Sequence, residues 1–351
     1  MEGAFMKDRA ILGITMGDPA SIGPEITVKA LSHKDIYERC RPLIIGDVWV
    51  MEKAVKTVGL DKKIAIHPVK SVQEGIYSWG TIDVYDMKAI EEDRLKVGKI
   101  SEASGEAAFR YVKKVIELAM AGEIDGTVTN ALSKEAVNLA GHHYSGHTEI
   151  YAEFTGTEKY TMMLAYHNLR VVHVSTHVSL REACDRVKKE RLLDVIHIAE
   201  DACKALGIKK PRLAVAGLNP HCGENGLFGK EEQEEIIPAV EKAKAEGMLV
   251  DGPVAADTVF SKAKGGMYDI VVAMYHDQGH IPLKVVGFEY DDDREEWKAV
   301  EGVNITLGLP IIRTSVDHGT AFDHAGLGDA NELSLLNAID YAVTLADNRK
   351  G

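Results

Sequence analysis

Short apolar runs alternate along the chain with longer segments in which apolar residues recur every three to four positions. Runs of this kind, rich in β-branched residues and bounded by Gly, Pro, Asn or Asp, are typical of buried strands. They cover Ile11–Thr15, Pro42–Ile45, Ile64–Ile66, Thr81–Tyr85, Ile124–Thr129, Arg212–Gly217 and Asp269–Met274. The longest helical pattern extends from about Ser101 to Ala121. This alternation predicts an α/β fold with a mostly parallel sheet.

Two segments depart from simple alternation. The runs at Tyr160–Tyr166 and Leu169–Val174 are separated only by His167-Asn168, which predicts an antiparallel hairpin. After it, Ser179-Leu-Arg-Glu182 has the sequence of a capping box, in which the hydroxyl and the carboxylate each pair with an N–H group at a helix start. The helix that it begins is expected to reach about Leu206, where Gly207 stops it.

Length and charge narrow the classes of function. The chain has 351 residues, enough for about two domains, and 45% of them are hydrophobic. Its formal net charge is -13 and its Lys and Arg residues are scattered, which argues against a nucleic-acid partner. No apolar run approaches the roughly 20 residues of a membrane helix, and the first residues lack the apolar region of a signal peptide. We therefore expect a soluble cytoplasmic protein that binds no membrane.

The four cysteines, Cys40, Cys184, Cys203 and Cys222, are widely spaced and contain no C-x-x-C pair. This spacing favours a reducing compartment and predicts neither a disulfide framework nor a zinc knuckle. Cys222 follows His221 in a Gly-rich loop, so it is either a nucleophile or a small buried thiol. No second motif indicates a partner for a nucleophile, which favours the buried thiol.

The first loop, Met16-Gly-Asp-Pro-Ala-Ser-Ile-Gly-Pro-Glu25, leads from a strand into a helix. Pro24 suits a first helical position, and the carboxylate of Glu25 favours the positive end of the helix dipole. Such a loop either presents backbone N–H groups to an anion or cofactor or is a tight structural turn. Its glycine spacing is not the dinucleotide fingerprint, so both interpretations stay open.

Three histidines occupy equivalent places, because His177, His221 and His276 each follow the carboxyl end of an apolar run. Ligands of open parallel sheets bind at such strand ends. Three imidazoles gathered there could hold Zn²⁺ or a similar ion and leave a position for a substrate oxygen. The alternative is that they are ordinary loop residues, since the chain has 14 histidines.

A polar cluster, Gly141-His-His-Tyr-Ser-Gly-His-Thr-Glu149, precedes another helical segment. Its density of donors and acceptors favours a ligand-facing role, with His147 and Thr148 placed by the turn at Gly146. The structural alternative is that Thr148 or Ser145 caps the helix.

The order of six motifs identifies a family resemblance. They are Gly17–Glu25, Ser145-Gly-His-Thr-Glu149, Gly217-Leu-Asn-Pro-His221, Gly252-Pro through Asp257-Thr258, Tyr275-His-Asp-Gln-Gly279 and Arg313-Thr-Ser-Val-Asp-His-Gly-Thr-Ala321. Over almost the whole chain they resemble the 4-hydroxythreonine-4-phosphate dehydrogenase family. The resemblance implies an isocitrate- or isopropylmalate-dehydrogenase-like fold of two domains: residues 1–135 with 305–351 for cofactor and substrate, and 136–304 for metal binding and dimerisation. It also implies a homodimer whose active site is shared between subunits.

The resemblance implies a role for individual residues. The metal ligands would be His177, His221 and His276, binding Zn²⁺ in preference to Mg²⁺, Mn²⁺ or Co²⁺. The substrate, a small phosphorylated hydroxy acid, would be bound by His147, Thr148, Lys284, Asn304 and Arg313. NAD or NADP would meet Gly17, Asp18, His318, Gly319 and Asp323. Asp277, Asp257 and Lys284 are the catalytic candidates, although either Asp could instead orient a ligand histidine.

The chain departs from the family pattern at three places. Ser21 stands where Gly is usual, a form associated with a branch that acts on D-threonate or D-erythronate 4-phosphate. Leu327 stands where Lys is usual, which leaves the choice between NAD and NADP open. The acidic insert 289–301 is interpreted as a solvated loop.

The resulting hypothesis is a metal-dependent NAD(P)-linked oxidation and decarboxylation of a four-carbon hydroxy acid 4-phosphate. Two alternatives are a dehydrogenase of an unphosphorylated cyclic cis-dihydrodiol acid and a non-catalytic, zinc-stabilised sugar-phosphate binding protein.

Overall fold

A computed structural model describes residues 9–291, 296–300 and 302–350. They form two compact units. Unit 1 contains the described residues of Met1–Gly156 and Pro310–Gly351, and unit 2 contains those of Thr157–Leu309. Each unit is built on strands that alternate with helices, so the α/β class predicted from the apolar pattern is confirmed.

The sheet of unit 1 is parallel throughout. Its strands are β1 (Ala10–Thr15), β2 (Cys40–Gly46), β3 (Ala65–Val69), β4 (Thr81–Asp86), β5 (Gly126–Thr129) and β14 (Arg313–Val316), in the order β3-β4-β2-β1-β5-β14. Buried Leu12 and Ile14 of β1 and Leu43 of β2 belong to its core. Arg313, the first residue of β14, is opposite Thr127 of β5.

The helices of unit 1 follow its strands. They are α1 (Gly23–Leu31), α2 (Lys34–Arg39), α3 (Val48–Thr57), α4 (Glu102–Met120), α5 (Lys134–Leu139), α6 (His147–Thr155) and α12 (Leu333–Lys350). The predicted helix at 101–121 is confirmed as α4, which Ser101 caps by accepting the N–H of Ser104. At Gly105 a Cβ atom would lie 2.0 Å from the carbonyl oxygen of Ala136, so α4 approaches α5 with no room for a side chain.

The sheet of unit 2 is mixed. Its strands are β6 (Thr161–Tyr166), β7 (Leu169–His173), β8 (Arg212–Ala216), β9 (Leu249–Val254), β10 (Ile270–Ala273) and β13 (Val303–Leu307), in the order β13-β6-β7-β10-β8-β9. β6 and β7 pair antiparallel, which confirms the predicted hairpin, and His167 between them has a φ of 50°. β7, β10, β8 and β9 are parallel, so their carboxyl ends share one edge.

The helices of unit 2 correct one expectation. They are α7 (Leu180–Asp185), α8 (Lys189–Ala205), α9 (Ile237–Ala245), α10 (Ala256–Lys264) and α11 (His276–Gly287). The single helix expected from Ser179 to Leu206 is wrong, because the backbone is extended at Lys188. The N–H of Lys189 donates to the Glu235 carboxylate at 2.8 Å and so begins a new helix. Of the predicted capping box, the bond from Glu182 N–H to the Ser179 hydroxyl is present.

The acidic insert forms strands at both ends, so the expectation of a loop is wrong for those residues. β11 (Phe288–Asp291) and β12 (Glu296–Val300) pair antiparallel as a two-stranded sheet. Residues 292–295 and 301 of the insert lie outside the described residues. Among the helices described, none combines the length and the apolar character that crossing a membrane requires. All four cysteines are free.

Candidate active site

The three strand-end histidines lie beyond three neighbouring strands of unit 2. His177 follows β7, His276 begins α11 directly after β10, and His221 follows β8. Since β10 lies between β7 and β8 and all three are parallel, the three histidines are at the same sheet edge. The ring centroids of His177 and His276 are 5.9 Å apart. In the part of the chain that the structure describes, no three His, Cys, Asp or Glu side chains are placed to hold a metal ion together.

A column of imidazoles continues from His276 into the core. His280, one helical turn along α11, stacks face to face on His276 with centroids 3.6 Å apart, and its Nδ1–H donates to the His276 carbonyl at 2.9 Å. His173 is 4.8 Å beyond His280. Burial lowers the pKa of His280 to about 4 and that of His173 to about 3, so both rings are neutral. No sequence motif marks His280, although its spacing of four from His276 indicates a shared helix face.

The two catalytic aspartates have different surroundings. Asp277 is exposed, and its carboxylate lies 2.7 Å from Nδ1 of His276. This contact holds the ring and leaves Nε2 available, which is the usual arrangement of a metal-binding histidine. Asp257, in the first turn of α10, is close enough to Cys222 to contribute to its raised pKa, after burial and Glu232. The raised pKa disfavours the thiolate and so argues against a nucleophile, but the side chain of Cys222 is only partly buried, so the predicted buried thiol is corrected to a half-buried one.

His221 is carried by an unusual turn. Five consecutive residues, 221–225, have φ values of 51°, 54°, 77°, 43° and 56°. Four of these are not glycine, and left-handed backbone is costly for them, so surrounding contacts must hold the turn.

Glu232 is one such contact, and no sequence motif indicated it. It is 1% exposed and lies in a π-helical turn, Glu232–Ile236. Its carboxylate accepts the N–H groups of Leu218 at 2.8 Å and Asn219 at 2.7 Å. The amide of Gln278 connects the same segment to α11, because it donates to the Gly217 carbonyl at 2.8 Å and accepts the Met274 N–H at 2.7 Å. The residues before His221 are therefore tied to the helix that carries His276.

The two substrate-binding candidates of unit 2 lie on separate elements. Lys284 is on α11, two turns beyond His276, and its charge contributes to the lowered pKa of His280. Asn304 is on β13, opposite Leu164 of β6, and its Nδ2 lies 2.7 Å from the Met162 sulfur.

Arg313 is a buried cation in unit 1. It is 3% exposed, donates to the Thr129 hydroxyl at 2.9 Å, and lies over the Tyr151 ring at 5.6 Å. Burial lowers the pKa of its guanidinium to about 10. A guanidinium that is destabilised by burial gains from an anion, which it can bind with two parallel hydrogen bonds.

His147 and Thr148 begin α6 in the same unit. The pKa of His147 is lowered well below its usual value by burial, by the charge of Arg313 and by that of Lys134. The Nε2 atom of His147 is enclosed and has no hydrogen-bond partner. Two cations, a neutral imidazole and the N–H groups of a helix start thus form a place for an anion, which we call the anion cluster. Lys134 is a member that the sequence analysis missed.

The first loop is a closed turn. Gly17 has a φ of 78°, and the N–H of Asp18 donates to the Ala131 carbonyl at 3.0 Å. Asp18 is fully buried, and burial raises the pKa of its carboxyl to about 6. Hydrogen bonds from the Ala20 N–H and the Ser104 hydroxyl lower this pKa and so partly oppose the effect of burial. The Ser21 hydroxyl donates to the Asp18 carbonyl at 2.7 Å, so this departure from the family pattern has a local role in the turn.

The other cofactor candidates lie in the loop after β14. Asp323 has an 82% exposed side chain, and Gly319 is also exposed. His318 donates from Nδ1 to the Gly319 carbonyl at 2.8 Å, and its Nε2 is enclosed without a partner. A ligand with hydroxyl groups that binds at this exposed loop can donate a hydrogen bond to Nε2 of His318.

Comparisons with known proteins identify the family of the chain. A model of the family described as "Pyridoxal phosphate biosynthetic protein PdxA" matches residues 38–342. The chain is 48% identical to the "Putative D-threonate 4-phosphate dehydrogenase" of Oceanobacillus iheyensis over 98% of this chain and 100% of that one. The crystal structure of a 4-hydroxythreonine-4-phosphate dehydrogenase from Burkholderia phymatum is 44% identical, covers 97% of this chain and 99% of its own, and has a TM-score of 0.82.

A more distant structure is that of a terephthalate 1,2-cis-dihydrodiol dehydrogenase from Burkholderia xenovorans LB400. It is 28% identical, covers 96% of this chain and 98% of its own, and has a TM-score of 0.66.

The fold and these similarities define an α/β oxidoreductase of the dehydrogenase class. The chain belongs to the PdxA family, because the model of that family matches most of its length. The resemblance that the six motifs indicated is therefore confirmed.

Proposed function

We propose that the protein oxidises and decarboxylates a four-carbon hydroxy acid 4-phosphate with NAD or NADP. The observation that carries the proposal is the anion cluster, in which Arg313 is buried and lowers the pKa of His147. A phosphate dianion compensates such a cluster better than a neutral group does. The names of similar proteins favour D-threonate, D-erythronate or 4-hydroxythreonine as the acid.

The proposed reaction needs only the hydroxy acid phosphate and NAD or NADP as reactants. The C3 hydroxyl, β to the carboxylate, loses its proton to a base while its carbon transfers a hydride to the nicotinamide. The β-keto acid that results breaks its C1–C2 bond, CO₂ leaves, and the electron pair forms an enolate that is protonated at carbon. The products from a threonate substrate are NADH or NADPH, CO₂ and a three-carbon hydroxyketone phosphate.

The metal site is proposed at the histidines of unit 2. The rings of His177 and His276 are 5.9 Å apart, a separation at which two imidazole nitrogens can reach one ion at about 2.0 to 2.1 Å each. His221, at the end of the adjoining strand, would be the third ligand. Three imidazole ligands suit Zn²⁺, with Mg²⁺, Mn²⁺ or Co²⁺ as alternatives. When bound, such an ion acts as a Lewis acid toward the substrate oxygen.

The remaining roles are assigned from position. Thr148 and Asn304 would donate to the phosphate or carboxylate, and Lys284 would bind the carboxylate or protonate the enolate. Asp257 is the better candidate for the base, because Asp277 is engaged with His276. His318, Gly319 and Asp323, with Gly17 and Asp18 as the supporting turn, would bind the dinucleotide.

We also propose an assembly. A homodimer whose active site is shared between subunits agrees with the resemblance to the family. Residues 1–135 with 305–351 would bind cofactor and substrate, and residues 136–304, which comprise 136–156 of unit 1 and 157–304 of unit 2, would bind the metal and form the dimer.

Kinetics of Arg313→Met test the proposal. The wild type with Zn²⁺ should reduce NAD or NADP with at least one of the three acid phosphates. The variant should lose about a hundredfold or more in kcat/KM, because a buried bidentate contact to phosphate is removed. Exposed Arg94→Met is the matched control and should match the wild type. No turnover by the wild type on any of the three substrates contradicts the proposal.

A second candidate is favoured by the similarity to the terephthalate dihydrodiol dehydrogenase. With an unphosphorylated cyclic cis-dihydrodiol acid, Arg313→Met should retain activity, because no phosphate meets the guanidinium. A sugar-phosphate binding protein would instead be stabilised thermally by the acid phosphates without any nicotinamide reduction.

A further inference from the structure

One side chain of α1 joins the first loop to the loop after β14. Glu25 is 5% exposed, and its two carboxylate oxygens accept the N–H groups of Gly326 at 2.6 Å and Gly328 at 2.8 Å. The partners are 301 and 303 positions away in sequence. A carboxylate that accepts two N–H groups in a buried place makes strong, charge-assisted hydrogen bonds.

The turn that Glu25 binds has a backbone conformation that favours glycine at both of its ends. Gly326 and Gly328 have φ values of 89° and 71°, in the left-handed region that favours glycine. At Gly328 a Cβ atom would lie 2.9 Å from the carbonyl oxygen of Thr57. Leu327, between them, is 64% exposed. The turn is therefore fixed at its two glycines, while the side chain of Leu327 faces solvent.

Further contacts hold the same loop against the start of α1. The N–H of Ile22 donates to the Thr320 carbonyl at 3.3 Å, and Lys29 Nζ donates to the Ala330 carbonyl at 2.7 Å. These bonds place the loop near α1. Within its Gly-Leu-Gly turn, Glu25 accepts both glycine N–H groups, and the Leu327 N–H donates to the His324 carbonyl at 3.2 Å. Without the carboxylate, two N–H groups of that turn would lose their partners, and the turn would have alternatives to its present conformation.

We propose that Glu25 is a positioning residue for the dinucleotide: it holds the turn Gly326-Leu327-Gly328 in a preformed conformation and does not touch the cofactor. The inference rests on the proposed function, in which the loop at 318–329 binds NAD or NADP. A preformed loop loses less conformational entropy on binding than a mobile loop does. Removing the carboxylate should therefore weaken cofactor binding and leave the chemical step unchanged.

Titration calorimetry with NAD and NADP, paired with kinetics, tests the inference. For Glu25→Ala we expect the Kd and KM of the cofactor to rise about tenfold, while kcat at saturating cofactor and the KM of the hydroxy acid stay within about twofold. Glu25→Gln keeps one acceptor oxygen and should give a smaller rise. Glu38→Gln is the matched control, because its side chain is 66% exposed and lies on α2 of the same unit.

A second variant changes the turn itself instead of the carboxylate that binds it. Gly328→Ala should raise the cofactor Kd similarly, because its methyl group meets the Thr57 carbonyl and displaces the turn. Combined with Glu25→Gln it should add little, since both changes act on one turn. This pair carries the test if Glu25→Ala fails to fold.

Three results would overturn the inference. The first is a cofactor Kd in Glu25→Ala or Glu25→Gln that equals that of the wild type. The second is a decrease in kcat of these variants without any rise in the cofactor Kd. Full additivity in the double variant would show that the two changes do not share a turn. These results leave the proposed function intact, whereas a wild-type protein that binds neither NAD nor NADP contradicts the proposed function as well as the inference.

Discussion

At position 18 a carboxylate lies in surroundings that favour its protonated form. Burial raises the pKa of Asp18 from 3.8 to about 6, and the bonds from Ala20 and Ser104 only partly oppose it. A raised carboxyl pKa means that the folded chain binds more protons than the unfolded chain does between these values. The contribution of Asp18 to stability is therefore present below about pH 4 and is lost as the pH rises through about 6.

Asp18→Asn should consequently stabilise the protein above this window. The amide oxygen can still accept the Ala20 N–H, and no charge is buried. We expect the free energy of unfolding to exceed that of the wild type by about 3 kcal/mol near pH 8, and the difference to vanish near pH 4. Urea unfolding at the two pH values measures it. An equal difference at both pH values would show that ionisation of Asp18 is not the cause.

Leu327 is the residue at which cofactor choice can be tested. It is 64% exposed between two glycines held by Glu25, at the position where the motif resemblance leads us to expect a lysine. Leu327→Lys should raise the affinity for NADP relative to NAD about tenfold, since a lysine can bind the additional phosphate. Calorimetric Kd values for both cofactors measure the ratio. Leu139→Lys, at an exposed position on α5, controls for added charge, and an unchanged ratio in Leu327→Lys would refute the assignment.

The positions of candidate residues were predictable from sequence where a local pattern determines them. His177, His221 and His276 could be expected at one sheet edge because each follows a short apolar run. Glu25 could be related only to its own helix, since its partners are more than 300 positions away. The membership of Lys134 in the anion cluster likewise depends on Arg313, which lies on a distant strand.

At the scale of elements, a buried carboxylate holds the backbone that leads into the turn carrying His221. The Glu232 carboxylate accepts the backbone N–H groups of Leu218 and Asn219 and the Asn219 amide at 2.9 Å. Glu232→Ala should lower the free energy of unfolding by about 3 kcal/mol, because buried N–H groups lose their acceptor. Exposed Glu234→Ala should change it by less than about 0.5 kcal/mol. Urea unfolding measures both, and a loss below about 1 kcal/mol in Glu232→Ala would show that the turn is held otherwise.

Strands and the long helix α4 were predictable because apolar periodicity and capping residues are local signals. The break between α7 and α8 was not, since it follows from a tertiary hydrogen bond between Lys189 and Glu235. The strands β11 and β12 were missed for a related reason. Their sequence is rich in charge, and only the pairing of the two segments shows a sheet.

On the scale of the whole molecule, the protein consists of two α/β units with different chemistry. Unit 1 contains the anion cluster with Arg313 and His147, and unit 2 contains the imidazole column with His276. Membership of the PdxA family could be predicted from motif order alone, because the motifs extend over almost the whole chain. The buried state of Arg313, on which the proposed recognition of phosphate depends, required the packing of β14 against β5.

The most direct test of the central claim measures two products in one reaction. D-threonate 4-phosphate labelled with ¹³C at its carboxylate is incubated with the protein, Zn²⁺ and NAD, and NADH and labelled CO₂ are quantified together. We expect both to form in equal amounts, and both to form at least about a hundredfold more slowly when Arg313→Met replaces the wild type at the same protein and substrate concentrations. If the wild type forms neither product from this acid or from its erythronate and 4-hydroxythreonine counterparts, or forms NADH without labelled CO₂, the account is contradicted.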